Sequence, residues 1–320
     1  MTRSLALKIL RFAVSAGLIC YLILKLDLGQ IVGHLRAVRA LPLVWAAALV
    51  FGMILGNAVR WKVLLRARGM DIPLARLVYY YLMGIFFSSF LPTSVGGDFA
   101  RAIAVSGDTG RPADALASVI VERLIGFFVL LPVGLASIPF VAGQITEWRL
   151  VVTVGFITAG TFAGLYVILQ RPVARRLSRI LGPVLGLLGR FRARERLENA
   201  YEAVVTYRDC RQAVLGGVGI SVLSRFSWIC GCYFVGRAFS IELSFASLLL
   251  IVPVVEFVRL IPISISGIGV REAAFVAMLR QFGVEDSMGF AFSVVVYVIF
   301  FAFALLGGVL YGTRQFVSRS

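Results

Sequence analysis

Apolar residues in this chain gather into long blocks separated by short polar stretches, with little alternation, which is the pattern of buried or lipid-embedded helices. Residues 10–26, 41–59, 116–142, 149–169, 213–236 and 289–312 form such blocks. Each is long enough to cross a bilayer, for which about 17–25 residues suffice. Arg3, Lys8 and Arg11 precede the first block in the manner of a signal peptide, but no small-x-small cleavage site follows before Lys25 and Asp27. The first block is therefore expected to remain as a membrane helix.

Two further blocks stop early. Residues 77–90 end at Leu91-Pro92-Thr93-Ser94-Val95-Gly96-Gly97-Asp98, and residues 245–261 end at Pro262-Ile263-Ser264-Ile265-Ser266-Gly267-Ile268-Gly269. A run such as 77–90 reaches about 21 Å as a helix, short of the roughly 30 Å of a hydrocarbon core. Each break is followed by a second short helical stretch, 99–106 and 270–281. Pro and Gly clusters leave backbone groups unpaired, which a membrane tolerates only where protein or a wet cavity covers them. The pattern predicts two re-entrant hairpins, or broken helices, over 77–110 and 245–281. Aligned at an offset of 170 residues, the two breaks share Pro, Ser, Gly and Arg in the order P-x-S-x-x-G-x-x-x-R. Paired interruptions in two halves of a membrane protein point to a transport site.

The expected fold is thus an all-α polytopic membrane protein of about six full transmembrane helices plus two opposed re-entrant hairpins forming an inverted repeat. It is one integral membrane domain over 1–320, with a first half at 1–169, a basic connector at 171–212 and a second half at 213–320. In the connector, Arg171, Arg175, Arg176 and Arg179 alternate with Val173, Leu177 and Ile180 at helical spacing. That fits an amphipathic helix in the headgroup plane, or a solvated linker obeying the positive-inside rule.

Composition agrees. The chain of 320 residues is 60% hydrophobic and only 15% charged, with a mean hydropathy of +0.93, which excludes an ordinary soluble enzyme. Its net charge of +16 comes from 32 basic and 16 acidic residues. With the N-terminus inside and both hairpins returning to their starting side, the cytoplasmic stretches carry 22 Lys and Arg residues and the outer ones 6. This bias places both termini in the cytoplasm of a multi-pass inner-membrane protein of bacterial type. The remaining four, Arg123, Arg225, Arg259 and Arg271, fall within apolar blocks. Positive charge on so apolar a chain is matched to anionic lipid headgroups rather than to nucleic acid.

Several chemistries have no residues to support them. None of the three lysines (Lys8, Lys25, Lys62) follows a glycine-rich phosphate loop, which excludes a P-loop ATPase. His34 is the single histidine, and Cys20, Cys210, Cys230 and Cys232 lack zinc or haem spacing. No metal or cofactor is expected, and no catalytic set of side chains is present.

Ionisable groups inside membrane segments are candidates for function by default. Glu122 and Arg123 lie in a long apolar helix, Glu256 and Arg259 share one helical face, Asp98 and Arg101 follow the first break, and Arg271 and Glu272 follow the second. One reading has these groups neutralise each other and lock the fold. The other makes the breaks anion cradles: Ser94, Gly96 and Gly97, and then Ser264, Ser266, Gly267 and Gly269, would expose backbone N–H groups at helix starts beside Arg101 and Arg271. Glu122, Glu256 and Glu272 would then hold a cationic headgroup or relay protons.

These segments, Leu91 to Arg101, Glu122-Arg123-Leu124-Ile125-Gly126 and Ile261 to Glu272, resemble the transmembrane region of lysylphosphatidylglycerol synthases, the flippase-like membrane family. Asn57-Ala58-Val59-Arg60-Trp61-Lys62 resembles the segment that ends the family's second helix, making Arg60 and Trp61 secondary candidates. The resemblance implies a stand-alone transmembrane module without the soluble synthase domain, so that aminoacyl transfer is not expected. It implies translocation of a lipid between leaflets: an anionic or aminoacylated phospholipid, or a polyprenyl-linked lipid. The alternatives are an enzyme or accessory factor in lipid-linked glycan synthesis, or a structural partner of one. Membrane lipids are the expected partners, with a separate lipid-modifying enzyme as a further one.

Overall fold

The computed structural model describes residues 28–90, 96–144, 204–259 and 267–317, together with Gly160, Ser264 and most of 15–26. The described residues of 15–25 are helical. Beyond them, the described residues form nine α-helices: α1 (Leu28–Arg36), α2 (Ala40–Ala67), α3 (Leu74–Phe90), α4 (Gly96–Thr109), α5 (Pro112–Val141), α6 (Arg211–Ala238), α7 (Phe245–Val258), α8 (Val270–Arg280) and α9 (Asp286–Val317). No strand occurs among the described residues. The predicted span at 149–169, apart from Gly160, and residues 171–203 of the 171–212 connector lie outside the described residues.

Among the described residues four helices are long and apolar enough to cross a membrane: α2, α5 with the 3₁₀ turn that follows it, α6, and α9 over Asp286–Thr313. At 28 residues, α2 and α6 are each about 42 Å long. The helices α3 and α7, of 17 and 14 residues, are shorter. Local chemistry sets several ends. Pro112 opens α5, where its missing N–H would have had no partner anyway. Ser244 caps α7 by accepting the Ser247 N–H at 3.0 Å. Before α6, the buried Tyr207 hydroxyl donates to the Leu64 carbonyl at 3.1 Å, and burial pushes its phenol pKa up.

The central pair is α2 against α6. A Cβ at Gly52 would meet Ser227, one at Gly56 would meet Ser224, and one at Gly231 would approach the Ala46 carbonyl. Numbers rise on one helix as they fall on the other, so the pair is antiparallel. The small residues bring the backbones close enough for the Ser227 hydroxyl to donate to the Leu49 carbonyl at 2.7 Å. Around this pair, α3 packs on α9, where Gly307 lies against the Leu82 backbone, and α5 packs on α7, where Gly134 lies against Pro253.

The neighbours obey an exchange rule. Swapping α2 with α6, α3 with α7, α4 with α8 and α5 with α9 turns α3–α9 into α7–α5, α4–α5 into α8–α9, and α3–α4 into α7–α8. Among the described residues, every substantial packing relation between these eight helices has its counterpart under the swap. The buried apolar core fills the space between them, with Ile54, Ile229, Leu248, Ile251, Phe275 and Phe292 all below 3% exposed.

Candidate functional site

Eight helices, α2 to α9, converge on one cavity of about 230 Å³. Six arginines line it: Arg60 from α2, Arg101 from α4, Arg123 from α5, Arg225 from α6, Arg259 at the end of α7 and Arg271 from α8. Only three carboxylates face them: Asp98, Glu122 and Glu256. Arg225 stands at the middle of a 28-residue helix, which is the depth at which a charge is most expensive in lipid.

The carboxylates tie the arginines into fixed positions. Glu122, 2% exposed, accepts from Arg60, from Arg101 at 3.2 Å and from the Tyr81 hydroxyl at 3.3 Å. Asp98 accepts from Arg101 at 2.5 Å with one oxygen and from Arg123 with the other. Arg60 also donates to the Ser221 hydroxyl at 2.7 Å. Aromatic faces hold the guanidinium planes: Arg101 lies 4.4 Å from the Tyr81 ring centre and 5.0 Å from that of Trp61, and Arg271 lies 4.1 Å from that of Tyr297. Arg259 pairs with Glu256 at 3.0 Å, and Arg271 with Glu272.

The residues singled out from sequence therefore divide. Arg60, Asp98, Arg101, Glu122, Arg123, Glu256, Arg259 and Arg271 line the cavity together. Arg60 and Arg101, counted among the cytoplasmic loop charges above, are buried at 2% and 4% exposure. Trp61, Gly96, Gly97, Ser264, Gly267, Gly269 and Glu272 do not line it. Ser94 and Ser266 lie outside the described residues.

The non-lining residues have other work. Trp61 donates to the Ser118 hydroxyl at 3.0 Å and backs Arg101. Gly97 lets α4 press on α3, since a Cβ there would strike the Gly84 carbonyl and Ser88. Gly267 and Gly269 take φ of +78° and +85°, a region that favours glycine. The Glu272 carboxylate accepts the Gly269 N–H at 2.7 Å, so the start of α8 is capped by its own side chain. Sequence reasoning did not select Arg225, Asn57, Tyr81, Ser88, Tyr297 or Trp228, which also line the cavity. Arg225 alone carried a signal, being a charge inside an apolar block.

The family described as "Lysylphosphatidylglycerol synthase TM region" matches residues 8–308. The chain belongs to this family. The cavity falls entirely within the matched residues, so the lysylphosphatidylglycerol synthase transmembrane region is the part of the chain that builds it. A "UPF0104 membrane protein" of Methanothermobacter thermautotrophicus is 24% identical over 297 residues, covering 88% of this chain and 87% of that relative. No solved structure matches the chain significantly. Chemically, a cavity with surplus guanidinium groups held by aromatic faces and carboxylates is equipped to bind an oxyanion. Among the described residues no group of three His, Cys, Asp or Glu side chains is placed to hold a metal ion.

Proposed function

We propose that the protein is a membrane lipid translocase, moving a lipid with an anionic headgroup between leaflets through the arginine-lined cavity. The observation that carries this reading is that Arg101, after the first break, and Arg271, after the second, line the same cavity. An anchored acyl or polyprenyl chain would stay in the bilayer while the phosphate passes between the two arginines. The exchange rule in the packing supports an inverted repeat in which α3–α4 and α7–α8 are re-entrant hairpins entering from opposite faces. The protein then sits in the cell (inner) membrane with both termini cytoplasmic.

The test uses purified protein in vesicles containing a fluorescent anionic phospholipid, with outer-leaflet fluorescence quenched to read movement. Arg101→Ala and Arg271→Ala should each cut the rate at least tenfold while the protein still incorporates. Arg→Lys at either position should rescue poorly, since an ammonium makes no bidentate phosphate contact. Wild-type rates in both alanine variants would overturn the reading.

Topology has its own test. In a background with the native cysteines replaced, a cysteine at exposed Gly107, in the last turn of α4, should label from the cytoplasm, and one at exposed Glu285, after α8, from outside. Labelling of both from one side would sink the opposed-hairpin arrangement.

A further inference from the structure

We infer that the cavity is selective for a headgroup bearing about two negative charges on phosphate oxygens, a phosphomonoester or a diphosphate, and disfavours headgroups that carry an ammonium. The inference rests on the cavity being the headgroup site, and it narrows the substrate class.

Charge is the first argument. Six guanidinium groups face three carboxylates, and Glu272 stands directly behind Arg271. A surplus of two to three positive charges remains among the described residues. A phosphodiester brings one negative charge and leaves one to two of that surplus uncompensated. A phosphomonoester brings about 1.5–2 at neutral pH.

Hydrogen bonding is the second. Among the described residues, the buried cavity-lining atoms without a partner are Nε of Arg60, Arg225 and Arg271, Nη1 of Arg101 and Nε1 of Trp228, against one acceptor, Asn57 Oδ1. Donors left unsatisfied at this depth call for a ligand rich in acceptors.

The third argument concerns what an ammonium would need. Both oxygens of Glu122 and both of Asp98 already accept from arginine. The faces of Tyr81, Phe127 and Tyr297, which would hold a cation, are covered by Arg101, Arg123 and Arg271. Size agrees: about 230 Å³ admits one or two phosphate groups, below the roughly 300–1,000 Å³ of pockets for drug-sized ligands.

The experiment measures binding to the purified full chain in detergent by native mass spectrometry and by thermal shift. The probes are short-chain phosphatidic acid, phosphatidylglycerol, phosphatidylcholine and lysylphosphatidylglycerol, with inorganic phosphate and pyrophosphate as free anions. Phosphatidic acid should bind at least tenfold tighter than phosphatidylglycerol, and the two ammonium-bearing lipids weaker still. Its advantage should shrink from pH 7 to pH 5, as the monoester takes up its second proton near pH 6. Arg225→Gln should reduce the phosphatidic acid to phosphatidylglycerol ratio at least threefold, with Arg225→Lys retaining more of it. Pyrophosphate as tight as phosphatidic acid would assign the site to a free anion of the same chemistry; tighter lipid assigns it to a headgroup. Equal or tighter binding of phosphatidylglycerol or lysylphosphatidylglycerol overturns the inference. Selective binding without movement in vesicles would instead overturn translocation and leave the selectivity standing.

Discussion

Glu122→Ala should destabilise the protein by about 3–5 kcal/mol, the range for breaking a buried ion pair from one side. Glu122 is the point where α2, α3, α4 and α5 are joined, through Arg60, Tyr81 and Arg101. Without it Arg101 keeps Asp98, but Arg60 is left with the Ser221 hydroxyl. Two guanidinium groups then face each other with less compensation. A fall in thermal midpoint and in the amount recovered from detergent would show this. Replacing both members, Arg60→Met with Glu122→Met, should recover part of the loss, because an apolar pair of similar volume needs no charge compensation. A Glu122→Ala variant as stable as wild type would mean that solvent in the cavity already compensates these charges.

Gly307→Ala should also be severe, for a steric reason. A Cβ at Gly307 would overlap the Leu82 carbonyl and come within 3.0 Å of the Met83 nitrogen. Those are backbone atoms in the middle of α3, so no rotamer change relieves the clash and the α3–α9 contact must open. Overpacking of this kind typically costs about 1–3 kcal/mol, and a rigid backbone partner puts Gly307 at the upper end. Gly312→Ala, on the same helix with nothing within 4 Å, is the control. It should leave the midpoint unchanged or raise it slightly, since Ala is a better helix former than Gly. Equal midpoints for the two variants would show that α3 and α9 yield easily.

Where helices stop was legible because the stops are chemical. The described part of α3 ends at Phe90, directly before the Leu91-Pro92 break, and α7 ends at Val258, shortly before the second. Where charged residues extend a helix, the apolar pattern fell short. The second block was read as ending at residue 59, but α2 continues to Ala67 through Arg60, Lys62 and Arg66. Arg66 is paired with exposed Asp71 at 2.9 Å, holding that carboxyl below its usual pKa, so the last turn is polar yet ordered. Likewise α4 runs to Thr109 through Ser106, Gly107 and Asp108, the last accepting from Tyr80 at 2.7 Å.

The site was legible as a set of charges but not as a set of pairs. Glu122 and Arg123 look like partners in the sequence, yet neighbours on a helix point about 100° apart. In the fold each turns to a different helix, Glu122 to Arg60 and Arg101, and Arg123 to Asp98. Partners 21 to 62 residues away leave no local spacing to detect. Tyr81 and Tyr297 look like any lipid-facing aromatic until Arg101 and Arg271 are seen on them.

The crossing of neighbours between the two ends of the chain constrains how the protein is made. α2 meets α6, α3 meets α9 and α5 meets α7, so these three early helices each wait for a late one. About 200 residues separate the end of α3 from the start of α9, which at about 5–20 residues per second is on the order of 10–40 s of synthesis. Glu122 follows its partners Arg60 and Arg101 early in that interval, whereas Arg225, Arg259 and Arg271 are made more than 100 residues after it. The early helices therefore bring carboxylate partners for their own buried arginines. Of the three surplus positive charges among the cavity-lining residues, two arrive with the later helices, which bring Arg225, Arg259 and Arg271 against Glu256.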